Sequence, residues 1–362
     1  MMSTFFWRAA SAAVVLGALA CGAQAADPPY AASEVIVGIS FGEYTKHTPD
    51  RAGDNWPITW GDADHLYTAW GDGQGPDHPH DVRVSMGFAR VDGSPPDVRV
   101  IKIDSPDAQS GDGRRGRKAS GMLMVEGVLY MWVRNDNQRG EHCRLWWSAN
   151  RGTNWTRADW SFEEFGYLTF VNFGRNYEGA RDDFVYSVSP NTPSAYDYAD
   201  DFVLMRVPQS RITDREAFEF FTGLDDEGNP VWTADIAARG SVFHHPGHCQ
   251  RSSVSYNAAL GRYLWWQSGW LSPEGEDARF HTGRLGVYEA PEPWGPWRTV
   301  FYSESFPKPG ETGCFPTKWM GPVEDGRQTV HMVTSTDDAF SVYPVTLTIT
   351  APEGISDEEN QK

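Results

Sequence analysis

Gly121-Met-Leu-Met-Val-Glu-Gly-Val-Leu-Tyr-Met-Trp-Val133 holds two short apolar runs hinged on Glu126-Gly127. Each run is too short for a helix and long enough for a strand, and glycine supplies the backbone freedom that a tight hairpin demands. The same two-strand unit recurs four more times: Trp56–Trp60 with His65–Trp70, Thr169–Phe173 with Phe184–Val188, Ser253–Asn257 with Arg262–Gln267, and Thr317–Met320 with Thr329–Thr334. Tyr67, Tyr130, Tyr186, Leu264 and His331 take equivalent positions in the second strands, at intervals of 63, 56, 78 and 67 residues. Such intervals leave room for two further strands per repeat. The expected fold is all-β, a five-bladed β-propeller. Apolar helical periodicity is nearly absent, and only residues 213–221 read as one short helix.

A second motif agrees. Ser148-Ala-Asn-Arg-Gly-Thr-Asn-Trp155 resembles the Asp-box turn of sialidase-type propellers, with Asn150 in place of Asp. The resemblance implies a structural turn between outer strands, with the polar side chain capping the backbone and the Trp packed between blades.

Near the N-terminus stand Arg8, an apolar run over Ala9–Ala20 and the small-x-small sequence Ala23-Gln24-Ala25. This predicts an export signal over residues 1–26, a single propeller domain over 27–350 and a polar tail over 351–362. The protein is expected to be secreted or periplasmic. Lipid anchoring through Cys21 is the alternative, although Ala18 stands where such sites usually carry Leu. No apolar run is long enough for a membrane span. A formal charge of −18, from 49 acids and 31 bases, argues against nucleic acid as partner. Cys143, Cys249 and Cys314 allow at most one disulfide, and no Cys/His cluster has zinc-ligand spacing. We expect a monomer with no metal and no cofactor. Trp, Tyr and Phe make up 14% of the chain, which suits both a β core and sugar stacking.

In a propeller, the loop that enters a blade's innermost strand and the loop that leaves its second strand lie at the same end of the channel. That rule sends Asp54, Asn55, Arg117, Lys118, Leu168, Thr169, His248, Arg251, Glu311 and Lys318 to one mouth as residues entering. Asp72, Arg134, Asn135, Ser189, Gln267, Asp337 and Asp338 join them as residues leaving. Arg181-Asp182-Asp183 falls at the opposite end and reads as turn chemistry.

Glycoside hydrolysis needs two carboxylates beside the scissile bond. Asp54, Glu311 and Asp72 are the candidate catalytic residues, with Asp54 as general base and Glu311, in a Gly-rich loop, as acid. The plain alternatives are a polar cap on Trp56, a solvated loop glutamate and a tight-turn aspartate. Lys118, Arg134, Asn135, His248, Arg251 and Lys318 are the candidate substrate-binding residues. Bases and acids at the mouth are equal in number. Either they neutralise one another, or the bases hold a carboxylate or sulfate on an anionic carbohydrate. Asp77, His78, His80 and Asp81 fit no specific metal site and read as a surface loop.

Asp54-Asn-Trp-Pro57, Ala69-Trp-Gly-Asp-Gly73, Phe173-Gly-Arg-Asn-Tyr177, Gly179-Ala-Arg-Asp182, Pro291-Glu-Pro-Trp-Gly-Pro-Trp297 and Phe315-Pro-Thr-Lys-Trp-Met320 resemble a group of exported bacterial propeller proteins. Many members have no assigned function. The group looks related to the endo-D-arabinanase glycosidases, and the Gly-Pro-Trp turn is similar to that of arabinanase and xylosidase propellers. The resemblance implies a propeller glycoside hydrolase acting on a polysaccharide or oligosaccharide within the channel. Related propellers often carry their proton donor on the third blade, where this chain has Leu168 and Thr169. Two alternatives stay open. One is a lyase acting on a uronate glycan through His248, Arg251, Tyr256 and Lys118; the other is a non-catalytic carbohydrate-binding propeller.

Overall fold

The computed structural model describes residues 27–77, 82–270 and 282–350. The expected export signal, Cys21, His78, His80, Asp81 and the C-terminal tail lie outside the described residues. Five antiparallel blades follow one another along the chain, each running from the channel outward. The first comprises Asp54–Trp60, Leu66–Gly71, Gly87–Ser94 and Asp97–Ile103. The second comprises Lys118–Val125, Val128–Arg134, Cys143–Ser148 and Thr156–Arg157. Thr169–Asn172, Phe184–Pro190, Ala199–Pro208 and Glu219–Leu224 make the third, and Arg251–Asn257, Arg262–Trp270, Thr282–Ala290 and Arg298–Pro307 the fourth.

The fifth blade closes the ring. Gly313–Cys314, Arg327–Thr334 and Ser341–Ile349 are completed by Ile36–Phe41 from the beginning of the described chain, with Ile39 opposite Leu347 and Phe41 opposite Val345. Tyr67, Tyr130, Tyr186, Leu264 and His331 all fall in second strands of successive blades, as the repeat predicts.

Two expectations need correction. The inner strand of the fifth blade is Gly313–Cys314, whereas Thr317–Trp319 forms a 3-10 turn. Pro316, which has no N–H, ends the ladder there, and Trp319 then turns inward to bury itself against the first blade. Residues 213–221 are not a helix: a 3-10 turn at Arg215–Ala217, capped by the Asp214 side chain, leads into the strand Glu219–Leu224. Burial of Phe218, Phe220 and Phe221 in the blade core outweighs local helical preference. The three cysteines are all buried and free, so no disulfide forms among the described residues.

The aromatic residues hold the blades together. Trp132 stacks on Phe170 between the second and third blades at 5.5 Å, and Trp265 meets Phe202 and Phe243 at about 5 Å between the third and fourth. The Asp-box turn behaves as expected. Asn150 accepts the Asn154 amide, Ser148 accepts the Gly152 amide, and buried Trp155 packs on Phe88 of the first blade.

The channel itself is nearly filled. Inner strands of the third and fourth blades pair directly, Val171 with Val254 and Asn172 with Ser255. The cavity along the axis is about 20 Å³, enough for a single water. A larger open space lies at the mouth of the channel.

Candidate active site

Asp54 opens the inner strand of the first blade. Its position is set by a bulge: Asn55 and Trp56 adopt left-handed φ angles of 72° and 54°, and the register shifts between Asn55 and Ile58. Strain of this kind in non-glycine residues persists only where surrounding packing enforces it. Here Trp56 is fully buried and its indole N–H donates to the Gly53 carbonyl at 2.9 Å. Asp54 is thus no cap on Trp56. Its carboxylate accepts the Asn55 side-chain amide and is only 8% exposed. Burial, then the nearby Glu311 carboxylate, pushes its pKa up to about 7 against the pull of Lys118.

Glu311 does not sit in a loose loop. Its amide donates to Ser335 Oγ at 2.8 Å and its carbonyl accepts from Ser268 Oγ at 3.1 Å. The neighbouring Thr312 hydroxyl donates to the Asn55 carbonyl. Asp72 follows the second strand of the first blade with φ 44°, accepts Lys118 Nζ at 2.5 Å and accepts the Gly113 amide at 3.1 Å.

Asp338, at the corresponding exit of the fifth blade, joins this group. Its carbonyl accepts the Gly53 amide at 2.9 Å, which ties it to the residue before Asp54. Burial and the Asp54 carboxylate raise its pKa to about 6. Together with Arg51, Asp72, Gln74 and Arg83 it lines an open cavity of about 430 Å³.

On the other side of the mouth, Arg134 and Arg251 are both buried around two tyrosines. Arg134 lies 5.7 Å from the Tyr167 ring and 5.4 Å from that of Tyr196; Arg251 lies 4.6 and 5.6 Å from the same rings. Asn135 donates to the Tyr196 hydroxyl at 3.0 Å and to the Gly113 and Gly116 carbonyls. Burial alone raises a phenol, but Arg134, Arg251 and Lys118 outweigh it and bring the Tyr196 pKa below its ordinary value.

The structure therefore gathers Asp54, Asp72, Glu311, Lys118, Arg134, Asn135 and Arg251. Two expected residues lie elsewhere. Lys318, carried by the 3-10 turn rather than a channel strand, donates to the Asp64 carbonyl and lies 3.2 Å from its carboxylate at the opposite end of the first blade. His248 stacks on His245 at 4.1 Å beside Tyr302 and Glu304 on the outer part of the fourth blade. Tyr256, named for the lyase alternative, packs on Phe173 and Tyr263 at the far end of its strand.

Tyr167, Tyr196 and the role of Asp338 are absent from the sequence reading. Tyr167 directly precedes Leu168 and Thr169, so an entrance rule set one residue earlier finds it. Tyr196 lies in a loop that no repeat marks.

No family model and no curated protein matches the chain. Solved structures similar to it include a GH43_1 enzyme from Xanthomonas citri, at 13% identity over 85% of this chain and 94% of that one, with a TM-score of 0.43. Another is a GH43 β-xylosidase/α-arabinofuranosidase from a compost metagenome, in complex with xylotriose, at 12% identity over 86% and 98% with a TM-score of 0.42. A GH32 β-fructofuranosidase from Bombyx mori covers 66% of its own length and 87% of this chain, at 13% identity and a TM-score of 0.45. These proteins are glycoside hydrolases. The likeness is one of fold, which the strand pairing of this chain establishes by itself.

Proposed function

We propose that the protein is an exported glycoside hydrolase that cleaves a polysaccharide or oligosaccharide at the channel mouth. Asp54 takes a proton from the attacking water, and Glu311 gives one to the leaving glycosidic oxygen. The observation that carries this reading is a pair of carboxyl groups at one mouth, with buried Asp54 at the start of the first inner strand and Glu311 held in the neighbouring segment by Ser335, Ser268 and the Thr312–Asn55 bond. The open cavity beside it is lined by the side chains of Asp72 and Asp338, which suits a hydroxyl-rich ligand. Incubation of the purified protein with a panel of glycans, with products read by mass spectrometry, tests it. New reducing ends that disappear in Asp54→Asn support hydrolysis; their persistence in that variant overturns the assignment.

Tyr196 favours a second reading, elimination from a uronate. Arg134, Arg251 and Lys118 favour its ionised form, and as phenolate it would remove the proton next to a carboxylate that these cations neutralise. The electron pair forms a C=C bond as the C–O bond to the leaving sugar breaks, and the proton taken up by Tyr196 passes to the leaving oxygen. An ultraviolet-absorbing unsaturated product in the same digest would replace hydrolysis by this reaction.

A further inference from the structure

The equal numbers of acids and bases at the mouth do not simply cancel. Arg117 pairs with Asp136 at 3.2 Å, Lys118 with Asp72, and Asp337 with Lys308 at 3.0 Å. Arg134 stands apart. It is 1% exposed, yet no carboxylate lies within 4.0 Å of it among the described residues. Only Nη2 is engaged, donating to Asn55 Oδ1 at 3.1 Å, while Nε and Nη1 have no hydrogen-bond partner among the described residues.

The geometry says what such a guanidinium suits. The Arg134 guanidinium lies over the rings of Tyr167 and Tyr196, contacts that take up none of its N–H groups as hydrogen-bond donors. With Asn55 taking one of the two Nη2 hydrogens, one complete fork of two parallel N–H groups stays open. That fork matches the paired oxygens of a carboxylate or sulfate; Tyr196, Tyr167, Asp54 and Glu311 favour the charged form of Arg134 through space but take up neither Nε nor Nη1. Two more polar groups add to the set on the facing fourth blade. Ser252 Oγ and Gln267 Nε2, register partners in adjacent strands, are buried and without partner among the described residues. Ser252 also lines the axial cavity together with Asn55 and Tyr167, the two residues that flank Arg134.

We propose that Arg134 reads an oxyanion on the substrate, the carboxylate of an acidic sugar or a sulfate ester, and that the ring of Tyr196 is what this group displaces. Tyr196 suits the part of a cover: its outer face meets Arg114, a half-exposed residue, at 4.4 Å, and its hydroxyl is held by the single bond from Asn135. The inference rests on the mouth being a glycan site; it is compatible with hydrolysis through Asp54 and Glu311 and competes with the elimination reading, which needs Tyr196 in place.

Calorimetric titration with probes that contain no glycosidic bond keeps the two readings separate. Glucuronate, galacturonate and inorganic sulfate are compared with glucose and galactose on the full mature chain and on Arg134→Lys, which keeps the charge and loses the fork. The expected result is that at least one anion binds on the order of tenfold more tightly than the neutral sugars, and that Arg134→Lys abolishes the difference. Preference for the sugar acids identifies a uronate; preference for sulfate identifies a sulfate ester. Equal binding of charged and neutral probes, or a preference that survives Arg134→Lys, overturns the proposal. If Arg134→Lys fails to fold, Tyr196→Ala carries the test, because uncovering the fork raises the anion-to-neutral ratio and an unchanged ratio refutes the idea. Absence of any glycan cleavage alongside clear anion preference would reject the enzyme reading alone.

Discussion

Lys118 Nζ lies 2.5 Å from Asp72 Oδ1 across the seam between the first and second blades, with side chains 2% and 13% exposed. The pair joins the first residue of one inner strand to the exit of its neighbour's second strand. After burial and Glu311, its two charges act on Asp54 in opposite directions, Lys118 lowering its pKa and Asp72 raising it.

Because both partners are buried, removing one leaves the other uncompensated. Lys118→Met is expected to cost about 3–5 kcal/mol of stability. The double variant with Asp72→Asn should recover most of that, as measured by chemical denaturation. Equal stability of the two forms would show that the pair is not structurally coupled.

Asp54→Asn is expected to lower turnover by about 10²- to 10⁴-fold, the range for loss of a positioned general base. Burial disfavours its charged form, so the neutral amide should leave the melting temperature close to that of the wild type. A comparable loss of stability would make Asp54 a structural group.

The pH dependence has a defined sign. Asp54 near 7 and Asp338 near 6 sit above the ordinary aspartate value of 3.8, so between these limits the folded state holds more protons than the unfolded one. Stability contributed by the two groups is fully present below about pH 4 and is lost as pH rises through 6 and 7. Melting temperature against pH should flatten over this window in Asp54→Asn. Activity should follow the opposite course, with kcat/KM rising through pH 7 as the base is freed.

Trp155→Ala removes a ring buried between the first two blades and the indole bond to the Gly152 carbonyl at 3.1 Å. Loss of about 3–5 kcal/mol is expected from the cavity, with KM of the folded fraction unchanged. A selective effect on KM would place the Asp-box turn in the site.

Lys318→Ala should leave KM unchanged for charged and neutral glycans alike, since Lys318 bonds Asp64 at the opposite end of the propeller. A shift in KM would contradict the placement of the fifth inner strand at Gly313–Cys314.

Much of this protein is written locally. A strand pair such as Gly121–Val125 with Val128–Val133 is specified by a few neighbouring side chains and one turn, so its fivefold recurrence announces the blades. The order of entrances and exits then sends Asp54, Asp72 and Glu311 to one mouth, because blade connectivity leaves no other arrangement. Ser148 to Trp155 announces its own turn for the same reason: cap and capped amide lie within a few residues.

Other features rest on partners far apart in the chain. Gly313 replaces the expected 317–320 strand at a point where a Cβ would meet the buried Trp266 ring at 2.7 Å, a contact no local pattern displays. Ring closure by Ile36–Phe41 depends on Ser341–Ile349, at the other end of the described chain. The raised pKa of Asp54, its coupling to Asp338 and the tyrosine faces around Arg134 arise from desolvation and charges brought together by folding. Sequence determined the blades and sent Asp54, Asp72, Glu311, Lys118, Arg134 and Arg251 to one mouth; only the tertiary structure decided that Lys318 and His248 lie elsewhere, that Tyr167 and Tyr196 join the site, and which groups are paired or buried, because burial and charge pairing are properties of the packed blades and not of any single strand.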